Sequence, residues 1–63
     1  MLLVDKKEVY IKDYEKILIM EENLLHVMMQ GFSLSIEGHC FEILYLDRYE
    51  IHLYGEIQVI RYV

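Results

Sequence analysis

The side chains able to bind a metal or attack a substrate are few. There are three histidines, His26, His39 and His52, and one cysteine, Cys40. Zinc chemistry would use histidine and cysteine ligands, and its recognisable sites carry short ligand pairs. No CxxC or HxxxH pair occurs here. His39 and Cys40 are neighbours, and in an extended strand neighbours point to opposite faces. A nucleophilic role for Cys40 would need a base and an oxyanion site beside it. Adjacency to His39 in the chain does not supply that geometry, and a partly buried thiol acting as a small hydrophobe is the expected role. The carboxylates Glu37, Glu42, Glu50 and Glu56 are the acid–base candidates, but no spacing singles out a pair. The three glycines, Gly31, Gly38 and Gly55, stand apart, so no phosphate-cradling loop is present. No catalytic residue, cofactor or metal is therefore expected.

Charge narrows the partners. The formal net charge is −5. Residues 24–63 hold five acids (Glu37, Glu42, Asp47, Glu50 and Glu56) against Arg48 and Arg61. Phosphate backbones and anionic membrane surfaces select clustered lysine and arginine, so neither is an expected partner. The lysines Lys6, Lys7, Lys12 and Lys16 alternate with Asp5, Glu8, Asp13 and Glu15, as on a solvated face. The apolar start Met1–Val4 is too short for a signal-peptide core or a membrane span. A cytoplasmic protein without direct membrane insertion is expected, and the lone thiol fits a reducing compartment.

The elements that would position these groups repeat with a period of two. Phe32, Leu34 and Ile36 alternate with Ser33 and Ser35; Phe41, Ile43 and Tyr45 follow; then Ile51 and Leu53, and after Gly55, Ile57 and Val59. This is the pattern of half-buried strands. Gly31, Gly38 and Gly55 are expected at turns, with Asp47-Arg48-Tyr49 and Glu21-Glu22-Asn23 as further turns. Val9 and Ile11 read as a short strand after a lead-in over residues 1–8. Residues 15–30 carry two patterns: Leu25, Val27 and Met29 alternate, while Ile17, Met20, Leu24 and Met28 fall at helical spacing. Ser35-Ile36-Glu37-Gly38 also aligns with His52-Leu53-Tyr54-Gly55 at an offset of seventeen, and the alignment continues as Ile43 on Ile60 and Tyr45 on Tyr62. A meander using one unit twice is implied.

Some strands are apolar on both sides. Leu44 and Leu46 oppose Ile43 and Tyr45, and Ile60 and Tyr62 break the polar register of the last strand. A single open sheet would leave one such face wet. The expectation is one all-β domain, residues 1–63, an antiparallel meander of about six to seven short strands. It closes as a small barrel or sandwich, or is completed by oligomerisation. The chain has six tyrosines, a residue enriched at interfaces as well as in sheets. Leu44, Leu46, Tyr54, Ile60 and Tyr62 are the expected interface residues, and a homo-oligomer the expected state.

In order and spacing, Tyr14-x-x-Ile17, Leu25-x-Val27 and Gly31-x-x-Leu34-x-Ile36-x-Gly38, then Ile43-x-x-Leu46 and Glu50-Ile51-x-Leu53-x-Gly55-x-Ile57, resemble the YabP/YqfC family of sporulation proteins. The resemblance runs from about Val9 to Tyr62. It implies a small, β-rich, non-enzymatic structural protein of endospore-forming bacteria, made in the mother cell. Peripheral attachment to a membrane through a membrane-protein partner is also implied. It favours strands over a helix in residues 15–30. Members usually carry a longer, often basic, segment ahead of the first strand. The rival expectations are a generic β-rich binding module or small oligomeric adaptor that takes a partner along its sheet edge, and a small enzyme or metal protein.

Overall fold

Extended backbone follows the alternating residues throughout. The computed structural model describes residues 1–63 and contains six strands and no helix: β1 Leu2–Asp5, β2 Glu8–Lys12, β3 Lys16–Met20, β4 Leu24–Met29, β5 Phe32–Leu46 and β6 Glu50–Tyr62. All pairings are antiparallel, and the order across the sheet is β1-β2-β6-β5-β4-β3. In residues 15–30 alternation overrides helical spacing. Leu25, Val27 and Met29 all bury one face, whereas a helix would bring only every third or fourth residue to the core.

The two long strands fold the sheet over on itself. Residues 32–37 of β5 pair with β4 and with the end of β6, while residues 42–46 pair with the start of β6, which in turn pairs with β2. One layer is thus β1, β2, residues 50–54 of β6 and residues 42–46 of β5. The other is β3, β4, residues 32–37 of β5 and the end of β6. Their apolar faces meet in one core of Val9, Ile11, Ile51 and Leu53 from the first layer and Leu25, Val27, Met29, Leu34 and Ile36 from the second. The folded-over sheet remains open, with β1 and β3 at its edges, and does not close into a barrel.

The fold occurs where Gly38 and Gly55 both lie against the Phe41 ring. Both were expected at turns between strands, and here the structure differs. They lie inside β5 and β6, where the long hairpin bends, and only Gly31 (φ +89°) occupies a true turn. A Cβ on Gly38 would come 1.9 Å from the Glu56 carbonyl oxygen, and one on Gly55 would come 2.7 Å from the Phe41 ring. The bend needs glycine because two backbones and one aromatic ring share the space a methyl would fill. Cys40 sits at the same bend with φ +56°. The register shift there turns its thiol to solvent, so it is exposed rather than partly buried. The lead-in expected over residues 1–8 contains β1, an edge strand on β2.

The weak repeat is a structural one. β2 lies on β6 as Glu8↔Tyr54, Val9↔Leu53 and Tyr10↔His52; β4 lies on β5 as Leu24↔Glu37, Leu25↔Ile36 and His26↔Ser35. Adding 16 to the first-hairpin numbers and subtracting 17 from the β6 numbers converts one register into the other. The same shift relates two backbone hydrogen bonds that tie each hairpin turn to its bend, Gly55 N to Lys7 O (2.9 Å) and Gly38 N to Asn23 O (3.0 Å). Each layer is one copy of a hairpin-plus-bent-strand unit.

Candidate functional site

The core residues fix which side chains face outward. In the first layer Val9, Ile11, Ile51 and Leu53 point in, so Glu8, Tyr10, Lys12, Glu50, His52 and Tyr54 point out. The register then lays three rows across four strands. The middle row is Leu3, Tyr10, His52 and Tyr45. To one side of it run Asp5, Glu8, Tyr54 and Glu42, and to the other Lys12 and Glu50 with Asp47 beyond. An aromatic strip therefore runs between two acidic margins.

The strip is ordered by its own contacts. Tyr10 and His52 stack with ring centroids 4.0 Å apart and planes 20° from parallel. His52 Nε2 lies 3.0 Å from Glu8 Oε1, which holds the imidazole in place. Tyr45 donates its hydroxyl to Asp47 at 2.7 Å, and Asp47 also accepts the backbone N–H groups of Tyr49 and Glu50, each at 2.8 Å. The Tyr45 and Tyr49 donors stabilise the ionised form and hold the Asp47 carboxyl below its ordinary value. Partial burial, together with the negative fields of Glu8, Asp5 and Glu50, raises the Tyr10 hydroxyl. Carboxylates from three strands thus act on one ring. Tyr14, in the connection after β2, donates to the Asp47 carbonyl at 2.5 Å and ties that connection to the β5–β6 turn.

The second layer serves as an internal comparison, because it repeats the same register with different residues. Its outward positions are Lys16, Met28 and Ser33; Ile19, His26, Ser35 and Arg61; and Leu24, Glu37 and Val59. Glu37 and Arg61 form an ion pair. Counting Glu21, which stands where Asp5 stands in the first layer, this face carries two acids and two bases. The first-layer face carries five acids (Asp5, Glu8, Glu42, Asp47 and Glu50) against Lys12, a balance of −4 out of the chain's −5. Lys6 and Lys7 lie at its rim, where with Asp5, Glu8 and Tyr54 they line an open cleft of about 200 Å³. The fold itself does not demand an aromatic, acidic face, since the second layer is built without one.

No family model, curated protein or solved structure matches this chain. The five expected interface residues are partly brought together. Leu44, Leu46, Tyr54 and Tyr62 are 50%, 46%, 41% and 65% exposed. Tyr54 belongs to the acidic–aromatic face; Leu46 pairs with the core residue Ile51 on the inner register, and Leu44 falls at the bulge between Ile43 and Tyr45. Tyr62 stands apart at the end of β6, against Phe32 with centroids 5.7 Å apart. Ile60 is half-buried and packs on the core, because it pairs with Ile36 on the inner face. Sequence reading missed Tyr10, His52 and Tyr45 as one row. The period-two register places Tyr10 and His52 on outward faces, but their meeting depends on a pairing across 42 residues. No group of three or more histidine, cysteine or acidic side chains converges as a metal site. His39 and Cys40 are exposed at the bend, and His26 lies on the other layer. No helix of the structure is long and apolar enough to cross a membrane.

Proposed function

We propose that this chain is a non-enzymatic assembly protein that works through the edges and outer surface of its β-sheet. The observation that carries this reading is where its exposed apolar side chains stand. A folded monomer of 7.7 kDa exposes about 4,300 Å², and this chain exposes 4263 Å². Its core is therefore finished, and the apolar surface that remains is not a sign of an incomplete fold. Much of that surface lies on the edge strands, Leu3 and Val4 on β1 and Leu18, Ile19 and Met20 on β3, and on the outer parts of the long hairpin, Leu44 to Leu46 on β5 and Tyr62 with Val63 at the end of β6. Exposed edges without proline, carrying apolar side chains, are sites at which another chain adds.

The resemblance to YabP/YqfC proteins supports a place for this assembly in endospore formation, in the mother-cell cytoplasm and against a membrane-protein partner. Two measurements test the reading. Solution mass by light scattering over a hundredfold range of concentration should show a dimer or larger species; a monomer throughout would remove self-assembly. Deleting the gene in a spore-forming host should lower spore yield or alter the spore envelope layers, and an unchanged spore would remove the biological assignment. A second reading, a binding module for an unlike partner, is favoured by one observation: the two layers share a register but only one carries the acidic–aromatic face.

A further inference from the structure

Starting from that assembly reading, we infer that the outer face of the first layer is a docking surface for a basic protein segment, one that presents arginine side chains along the row Leu3-Tyr10-His52-Tyr45. Charge complementarity commits the occupant. The face holds five acids against Lys12, with Lys6 and Lys7 only at its rim beside Asp5 and Glu8, whereas the equivalent face of the second layer holds two acids and two bases. The arrangement of the acids excludes a single small cation. They do not converge as a metal-ligand group but stand on four strands about 4.8 Å apart, with Asp47 in the β5–β6 turn, in two margins about 13 Å from each other along the strands. Charges so dispersed match a chain of cations rather than one.

Between the margins lies an aromatic floor. Tyr10 is already stacked on His52, so the open ring faces are those of the more exposed Tyr45 and Tyr54. A guanidinium lying flat on either gains cation–π attraction, and its N–H groups then reach the neighbouring carboxylates. Arginine fits this better than lysine, whose compact ammonium is more strongly hydrated and lacks the planar fork. The row crosses four strands, roughly 14 Å, which an extended segment of about four residues spans at 3.3 Å each. Glu8 and Asp47 are already engaged, with His52 and with Tyr45 and the turn amides. They hold the floor rigid, leaving Asp5, Glu42 and Glu50 to meet the incoming cations.

The test is fluorescence anisotropy of a labelled nona-arginine peptide titrated with the full chain at 150 and 300 mM salt, with far-UV circular dichroism confirming that each variant is folded. Glu42→Lys should weaken binding at least tenfold. Glu21→Lys makes the same charge change on the second layer and should weaken it less than threefold. Tyr45→Ser and Tyr54→Ser should each weaken it at least threefold with the salt slope unchanged, and nona-lysine should bind more weakly than nona-arginine. Equal losses from Glu42→Lys and Glu21→Lys would overturn the inference, because binding would then follow net charge alone. So would unchanged affinity in both tyrosine variants, or no binding by the native chain. Light scattering on the same samples separates the two proposals. An assembled chain that ignores the peptide refutes this inference and leaves the assembly reading standing. A monomer that binds the peptide on this face supports the inference and refutes self-assembly.

Discussion

Replacing Gly38 by alanine should be the most damaging single-methyl addition in the chain. The new Cβ would lie 1.9 Å from the Glu56 carbonyl oxygen and 2.9 Å from its carbon. Ordinary contact begins near 3.4 Å, so about 1.5 Å of separation has to be found. The obstacle is backbone of the neighbouring strand, which no rotamer change can clear. Overpacking of this kind costs about 1–3 kcal/mol. Pushing β6 away also strains the local ladder and the bond from Gly38 N to Asn23 O, and each lost hydrogen bond adds about 1 kcal/mol. A total of about 2–4 kcal/mol follows. A chain of 63 residues has roughly 3–9 kcal/mol to lose at about 0.05–0.15 kcal/mol per residue. The variant should therefore melt about 8–30 °C lower, or be largely unfolded at room temperature. The assay is thermal and urea denaturation followed by far-UV circular dichroism, with two other glycines for scale. Gly55→Ala would meet the Phe41 ring at 2.7 Å and backbone atoms of Cys40 and Phe41 at 3.1 Å, a lesser clash than the 1.9 Å at Gly38, and should cost about 1–2 kcal/mol. Gly31→Ala meets open space and bears only the left-handed backbone, also about 1–2 kcal/mol. If Gly38→Ala proves no worse than Gly31→Ala, the bend does not depend on close approach of the two backbones and the reasoning is wrong.

Val27→Ala removes two methyl groups from a fully buried position and should cost about 2–3 kcal/mol in urea denaturation; a loss under 0.5 kcal/mol would mean the two layers are not packed on it. The Asp47 carboxyl is held low in the folded chain. Its contribution to stability is therefore complete above the ordinary carboxylate value and is lost as pH falls through the lowered folded value. Melting temperatures from pH 6 to pH 2 should show the native chain losing more than Asp47→Asn over that acid limb, and parallel curves would contradict this. Val4→Lys puts a charge on the one edge strand whose pairing has no bulge and should lower the assembled fraction in light scattering while leaving the fold intact; unchanged mass would place the contact elsewhere.

Much of this fold was legible because its strands obey alternation. Phe32 to Ile36, Ile51 to Leu53 and Leu25 to Met29 each announce which face is buried, and the core is made of their inward residues. The bends were misread for a physical reason: a turn and a sharply bent strand both need a residue without a side chain, so Gly38 and Gly55 look like Gly31. β1 was missed because Leu2-Leu3-Val4 does not alternate; an edge strand half covered on its inner face has little need to. Cys40 looked partly buried because the parity of β5 breaks at the bend, and a residue with positive φ no longer follows it. The acidic–aromatic face was hidden for another reason. Tyr10 and His52 each sit in an unremarkable polar register, and only the pairing of β2 with β6 makes them neighbours.

The chain order of the two layers has a consequence for how the protein is made. The strands β3, β4 and the first part of β5 are consecutive hairpins and can pair as they leave the ribosome. The first hairpin can close on itself but not find its neighbour: Glu8 meets Tyr54, 46 residues later, so β1 and β2 must wait, apolar side uncovered, for the last strand to be synthesised. In a crowded cell the β6 that arrives first need not belong to the same molecule. A hairpin docked onto a neighbour's β6 would complete both folds by exchange, without any new contact. Refolding yield should then fall, and exchanged dimers accumulate, as concentration rises.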